Sequence, residues 1–446
     1  MRGSRASEVD GCLTATVSDP AFPHDDRPED DRPEDDWPED DWPDDAWLDA
    51  ECRRLLEFGR RVVHPLGGAA WLDDDGVPDL SRPVHTWITS RTVHVQGLGA
   101  LLGVEGCTSI ATAALDGLRT TLRDDEHGGW FEAIGADGSP SGDAKSCYAH
   151  AFVMLAASTA VVAGLQGADD LLAEATAVFE ERFWDDGAGR VVDEWDRAWT
   201  AAEPYRGLNS TMHSVEAMLA VGDVTGDRVW HGRAARLAGL VVDLAATYDG
   251  RLPEHFGPDW SVDLELNRDR PDDPFKPYGA TVGHGLEWAR LLLHLEATLG
   301  SDAPAGLLDT SRLLFERAVA DGWHADGEPG FVYTTDWDGR PVVRERMHWV
   351  VAEAISAAAV LHRRTGEDGF ATCYRRWWEY AAEHLVDVER GSWHHELDTS
   401  NRPQASVWPG KPDLYHAVQA TLLPRLPLAP SLATAVAVSA RGGTGA

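Results

Sequence analysis

Cysteine is scarce in this chain, and positive charge is outnumbered. Of 446 residues only five are Cys, namely Cys12, Cys52, Cys107, Cys147 and Cys373. They are odd in number, widely spaced and without a CxxC pair. That excludes a disulfide framework and suits a reduced, cytoplasmic protein. No apolar run reaches the ~18 residues that a membrane span requires. The first residues lack an apolar signal core, so export is not expected. Lys and Arg number 39 against 75 Asp and Glu, a formal net charge of −36. A chain of that sign repels polyanions, so neither nucleic acid nor an anionic membrane is expected as a partner. There is no HExxH and no Cys/His cluster with zinc spacing, so no metal site is expected.

Tryptophan, by contrast, is abundant, with 19 residues, and 43% of the chain is hydrophobic. A sizeable core follows, and aromatic walls around a sugar are a common use of the remainder. Residues 1–45 stand apart. From Asp25 they run DDRPE-DDRPE-DDWPE-DDWPD, and residues 1–46 hold 16 Asp/Glu against 4 Arg, a net of −12. Proline every fifth residue forbids a helix and the charge prevents collapse, so a disordered extension is expected there. Residues 427–446, rich in Ala, Ser and Gly, are expected to be disordered too.

Between them, residues 46–426 read as one domain. Apolar residues recur at helical spacing over 47–63, 89–102, 107–122, 144–164, 168–183, 209–222, 226–248, 280–299, 303–320, 345–363, 366–386 and 411–423. Joints within a pair are short, as at Leu165 to Gly167. Joints between pairs are long and rich in Trp, Gly and Asp, as at 123–143, 249–279, 321–344 and 387–410, and several read as hairpins. Six helical hairpins with long loops on one rim imply an all-α toroid, an (α/α)6 barrel, with the site at that rim. The repeats lack a fixed period, which argues against an open solenoid.

Polar residues cluster near the starts of the even-numbered helices. They are Arg91 and His94 in SRTVHVQGLG, Lys145, Tyr148 and His150 in KSCYAHAF, and Asn209, His213 and Glu216 in LNSTMHSVEA. His284 and Glu287 follow in GATVGHGLEW, Arg346, His348, Trp349 and Glu353 in RERMHWVVAEA, and His416 in WPGKPDLYHA, after Trp408. Pro412 is expected in the first turn of the last helix, with Asp413 on its dipole. Alternate helices form the inner ring of such a toroid, so these starts would line one cavity. Spacing of three puts His284 and Glu287 on one face, where Glu287 could orient the imidazole. His395 reads as an ordinary packing or surface residue.

With these motifs in view the chain resembles the N-acylglucosamine 2-epimerase family of barrel sugar isomerases and epimerases, over about residues 47–423. KPDLYHAVQA, GATVGHGLEWARLLLHL, NSTMHSVEA, KSCYAHAFV and VYTTDWDGRPV carry the likeness, which is nearest to the branch acting on mannose and sulfoquinovose. The resemblance implies His284 and His416 as the acid/base pair, with Arg91, Asn209, His213, Glu254, Glu287 and Trp349 at the substrate. His94, Tyr148, Glu353 and Trp408 complete the expected wall. Lys276, in PFKPYGATVGH, stands near where an Arg is expected in the sulfosugar enzyme.

The chemistry implied is aldose–ketose isomerisation of D-mannose and D-fructose, with D-lyxose and D-xylulose as further candidates. A proton moves between C2 and C1 through a cis-enediol, and His, with an ordinary pKa of ~6.5, suits that task without metal or nicotinamide cofactor. A sugar 2-epimerase, a sulfoquinovose isomerase and, more distantly, a glycoside hydrolase using Glu254, Glu287 or Glu353 are the alternatives. A monosaccharide is the expected ligand, and a monomer or homodimer the expected state.

Overall fold

A computed structural model describes residues 43–442, and the acidic repeat lies outside the described residues. Thirteen α-helices occur among the described residues. They are α1 (Asp45–Phe58), α2 (Thr86–Leu101), α3 (Cys107–Arg119), α4 (Cys147–Val162), α5 (Ala168–Arg182), α6 (Leu208–Thr225) and α7 (Arg228–Thr247), followed by α8 (Val282–Leu299), α9 (Leu307–Gly322), α10 (His348–Thr365), α11 (Asp368–Tyr380), α12 (Tyr415–Leu422) and α13 (Leu432–Gly442).

Helices α2, α4, α6, α8, α10 and α12 are buried nearly all round. Such helices are stable only when enclosed. Each packs beside the next, and α12 returns to α2, so they form a closed inner ring. Helices α3, α5, α7, α9 and α11 each bury one stripe, turn charge outward and back onto the inner helix of their hairpin. The sixth pair joins the two ends of the chain, because α1 packs on α12. Trp47 of α1 meets Trp378 of α11 edge-on, with ring centroids 5.1 Å apart. The fold is an (α/α)6 barrel, as the sequence implies.

One register repeats around the rim. Before each inner helix from α2 to α10, two or three residues pair antiparallel with residues from the following long loop, as in Gly207 with His255, Thr281 with Thr334 and Met347 with Glu396. The first N–H of the helix then donates to the loop residue just before that pairing. Thr86 N reaches Glu132 O (3.0 Å), Cys147 N reaches Asp193 O (2.7 Å) and Leu208 N reaches Glu254 O (2.9 Å). Val282 N reaches Tyr333 O and His348 N reaches His395 O, both at 3.1 Å. These bonds satisfy orphan donors that a side-chain cap would otherwise take.

Buried ion pairs pin the same loops. Lys145 binds Asp124 at 2.9 Å, Arg346 binds Asp326 at 2.7 Å and Lys411 binds Asp387 at 2.6 Å, all nearly fully buried. Lys145 and Arg346 are thus rim fasteners, which explains their placement before inner helices. His150 is likewise structural: its Nδ1 bonds the Ser146 carbonyl (2.7 Å), and Trp130 N donates to its Nε2 (3.2 Å).

Two expectations change. The last inner helix begins at Tyr415, so Pro412 and Asp413 precede it, and an Asp413 carboxylate oxygen accepts from Tyr415 N at 2.9 Å. The stretch 427–446, read as disordered from its composition, contains α13. Its small apolar residues Ala433, Ala435, Val436 and Ala437 are buried, and α13 packs on α2, α4 and α6. The approach is fixed by His294 Nδ1 on Leu428 O (2.7 Å) and Ser431 N on Asp223 (2.6 Å). Removing residues 428–446 should cost about 2–4 kcal/mol from lost apolar burial and lower Tm by several degrees in a thermal melt, where an unchanged Tm would show that α13 contributes nothing.

Candidate active site

The repeated register sets the phase of each inner helix, and the cavity wall follows from it. One residue after the first helical residue come Trp87, Tyr148, Asn209, Gly283 and Trp349. Five residues after it come Arg91, Phe152, His213, Glu287 and Glu353. The offset of four puts both sets on one face, in two layers. Gly283 is small for a reason: a Cβ there would lie 2.3 Å from the Trp349 ring. The layers line one cavity that opens to solvent, with about 710 Å³ of space when the solvent at its mouth is counted.

Two imidazoles face this cavity, each backed by a glutamate. His284 Nδ1 lies 3.0 Å from Glu254 Oε1, and His416 Nδ1 lies 2.8 Å from Glu353 Oε1. A carboxylate only accepts, so it fixes the proton on Nδ1 and turns Nε2 to the cavity. Burial opposes ionisation of Glu353, but Arg290 and His416 outweigh it and hold the carboxyl below its usual range. Arg290 Nε donates to Glu353 Oε2 at 2.9 Å. Trp349 lies between the imidazoles, with ring centroids 5.3 Å from His284 and 5.6 Å from His416.

The floor is polar and buried. Burial and the neighbouring Glu353 push the Glu287 carboxyl well above its usual value, against the pull of Arg290. Burial pushes His213 down to about 3 and leaves it neutral. Its Nδ1 lies 3.8 Å from Glu216 and 3.9 Å from Glu287. Tyr415 donates its hydroxyl to Glu216. Arg91, paired with Asp413, donates to the Tyr148 hydroxyl at 3.1 Å. His213, Glu216 and Glu287, and likewise Glu287, Glu353 and His416, bring possible metal-ligating atoms within 4.8 Å of one another. Arg290 lies against both groups, 2.9 Å from Glu353 and 3.5 Å from Glu287, and supplies the countercharge a divalent ion would bring.

Three aromatic rings from separate segments meet at the mouth. Phe275 lies 6.5 Å from Trp87 and 5.5 Å from Trp408, ring centroid to centroid.

Of the residues singled out in the sequence, Arg91, Tyr148, Asn209, His213, His284, Glu287, Trp349, Trp408 and His416 line this one cavity. Glu254 and Glu353 stand behind the histidines. Two readings are corrected. Glu287 does not orient His284, because the rim register delivers Glu254 to Nδ1 and leaves Glu287 in the floor layer. His94 is not at this cavity: eight residues into α2 it lies a layer deeper, bonded to Thr159 at 2.7 Å and lining a second cavity together with Leu428, Ser431, Leu432 and Ala433. Trp87, Phe275, Tyr333 and His395 also line the site. Tyr333 and His395 share the rim position of Glu254, a signal that aligning the repeats on their helix starts would have exposed. Among the described residues Glu254 and Glu353 are committed to imidazoles and Asp413 to Arg91, which weighs against glycoside hydrolysis.

A six-hairpin barrel with two glutamate-backed imidazoles among aromatic walls defines a carbohydrate-converting enzyme of the (α/α)6 class. The profile of the N-acylglucosamine 2-epimerase (GlcNAc 2-epimerase) family matches residues 67–420, and the chain belongs to that family. It is 56% identical over 392 residues to a D-mannose isomerase of Thermobifida fusca, covering 87% of this chain and 96% of that one. It is 46% identical over 396 residues to a D-mannose isomerase of Pseudomonas cannabina pv. alisalensis, covering 87% and 94%. A crystal structure of D-mannose isomerase superposes with a TM-score of 0.80 at 26% identity, over 87% of this chain and 99% of that one.

Proposed function

We propose that this protein is a D-mannose isomerase, interconverting D-mannose and D-fructose through a cis-enediol. The observation that carries the reading is the pair of His–Glu dyads facing one cavity, alongside the likeness to enzymes of that name. His416 takes the proton from C2 of the open-chain sugar and returns it to C1. Glu353, hydrogen-bonded to Nδ1, stabilises the imidazolium formed in between. His284, held by Glu254, moves protons among the ring oxygen, O1 and O2. Arg91 supplies hydrogen bonds to the enediolate oxygens, where developing charge makes them worth most, and Glu287, whose surroundings favour its protonated form, adds another. Asn209 positions a hydroxyl, and Trp349 and Trp408 cover the apolar face of the sugar.

The reaction is internal to the sugar and redox-neutral overall, so it needs no net oxidant, and the two dyads supply the proton transfers of a metal-independent enediol route. No described helix is long and apolar enough to cross a membrane. With the cysteine usage, that supports a cytoplasmic enzyme, working as a monomer or homodimer.

Steady-state kinetics on D-mannose test the assignment. His416→Ala and His284→Ala should fold and each lose about 10²–10⁴-fold in kcat, the usual worth of a general acid–base group. Glu353→Gln should fall about 10²-fold with a smaller change in KM. Near-wild-type turnover in either alanine variant would remove that histidine from the mechanism. Exhaustive dialysis against EDTA should leave activity intact, whereas loss restored by a divalent ion would place a metal at one of the two clusters around Arg290.

A further inference from the structure

His348 and His395 are left without a role by the mechanism. His348 opens α10, and His395 is the rim residue whose carbonyl receives its N–H. Their rings are stacked, with centroids 3.9 Å apart and planes 11° from parallel. Both side chains line the sugar cavity, yet they are only 5% and 6% exposed. In each, Nε2 is buried and has no hydrogen-bond partner.

The other ring nitrogens decide what those atoms can accept. His348 Nδ1 lies 3.2 Å from the His395 carbonyl. The backbone carbonyl of Asp413 is the acceptor beside the His395 ring, and because Nε2 has no partner that contact falls to Nδ1. A carbonyl only accepts, so Nδ1 carries the proton in both rings and Nε2 presents a lone pair. Burial keeps both imidazoles neutral, with His348 lowered to about 4 and His395 well below its usual value. Two adjacent unpartnered acceptors therefore lie in the cavity wall with nothing donating to them, a costly arrangement unless a ligand completes it.

A single metal ion cannot complete it. A metal lies in the plane of an imidazole that binds it, and two nearly parallel planes stacked face to face share no such point. A phosphate or sulfonate cannot either, because at neutral pH those groups chiefly accept. The complement is a pair of neighbouring O–H donors. We propose that the stacked His348–His395 pair is a hydroxyl-reading subsite, accepting from two sugar hydroxyls and disfavouring a sugar with an anionic group at that position. The subsite rests on the mannose isomerase reading and deepens it, since it favours a plain hexose over a sulfosugar. His348 and His395 act here in binding and selectivity; they carry no proton.

The test compares kcat/KM of wild type, His348→Phe and His395→Phe on D-mannose and on its 3-deoxy, 4-deoxy and 6-deoxy derivatives. Phe keeps a stacked ring and deletes the acceptor. On D-mannose each variant should lose about tenfold, mostly in KM, as expected for one hydrogen bond to a buried acceptor. His395→Gln, which restores an acceptor near the Nε2 position, should recover most of the loss. On at least one deoxy sugar the penalty should vanish, because the bond is already missing there. The same penalty on all four sugars, or none on mannose, would overturn the subsite. If a Phe substitution prevents folding, Ala at that position carries the same comparison. A wild type inert on mannose would refute the activity and the subsite with it, whereas an active wild type with uniform penalties would overturn the subsite alone.

Discussion

The site depends on one hydrogen bond made five times: the first N–H of an inner helix to the carbonyl of a rim residue. It fixes where each helix starts, and so which side chains fall one and five residues later. It also fixes the rim residues themselves, so Glu254, Tyr333 and His395 reach the cavity from equivalent positions. Because the donor would otherwise be an orphan, losing the bond exposes a helix end and misplaces a wall residue together. The buried pairs at Lys145, Arg346 and Lys411 hold the loops that supply these carbonyls. Breaking one leaves an uncompensated buried charge, at roughly 3–5 kcal/mol.

Inside this frame, burial does two opposite things to titratable groups. It keeps His213 neutral and pushes the Glu287 carboxyl upward, toward its protonated form. At Glu353 the Arg290 guanidinium overrides burial, keeping a charge directly behind His416. The histidine proposed to carry the carbon-bound proton thus has a fixed countercharge, while the floor around it stays neutral or paired. The mouth is a separate matter, closed by apolar contact among Trp87, Phe275 and Trp408.

Much of this was legible in the sequence. Apolar residues recurring at helical spacing, short joints alternating with long ones, and polar residues at even-numbered helix starts all implied the closed barrel and one shared cavity. His284 and His416 stood out for the same reason. What failed were inferences from local spacing. His284 and Glu287 share a helix face, but the partner of His284 comes from a loop 30 residues upstream, which helical periodicity does not encode. His94 has the right helix and the wrong depth. His395 looked ordinary because its role comes from stacking on His348, and the two are 47 residues apart. The α13 segment was misread because small residues resemble a tail until a barrel floor of matching size is there to receive them.

The central claim is that the two dyads pass a proton along one face of the sugar, from C2 to C1. The most direct measurement follows the label of D-[2-²H]mannose by NMR during early turnover in ordinary water. The account predicts fructose carrying part of the deuterium at C1, the remainder lost to solvent through exchange at the catalytic imidazole, and little glucose. Glucose formed from the start at a rate comparable to fructose would contradict it, because protonation of C2 from both faces would then be the reaction the site performs.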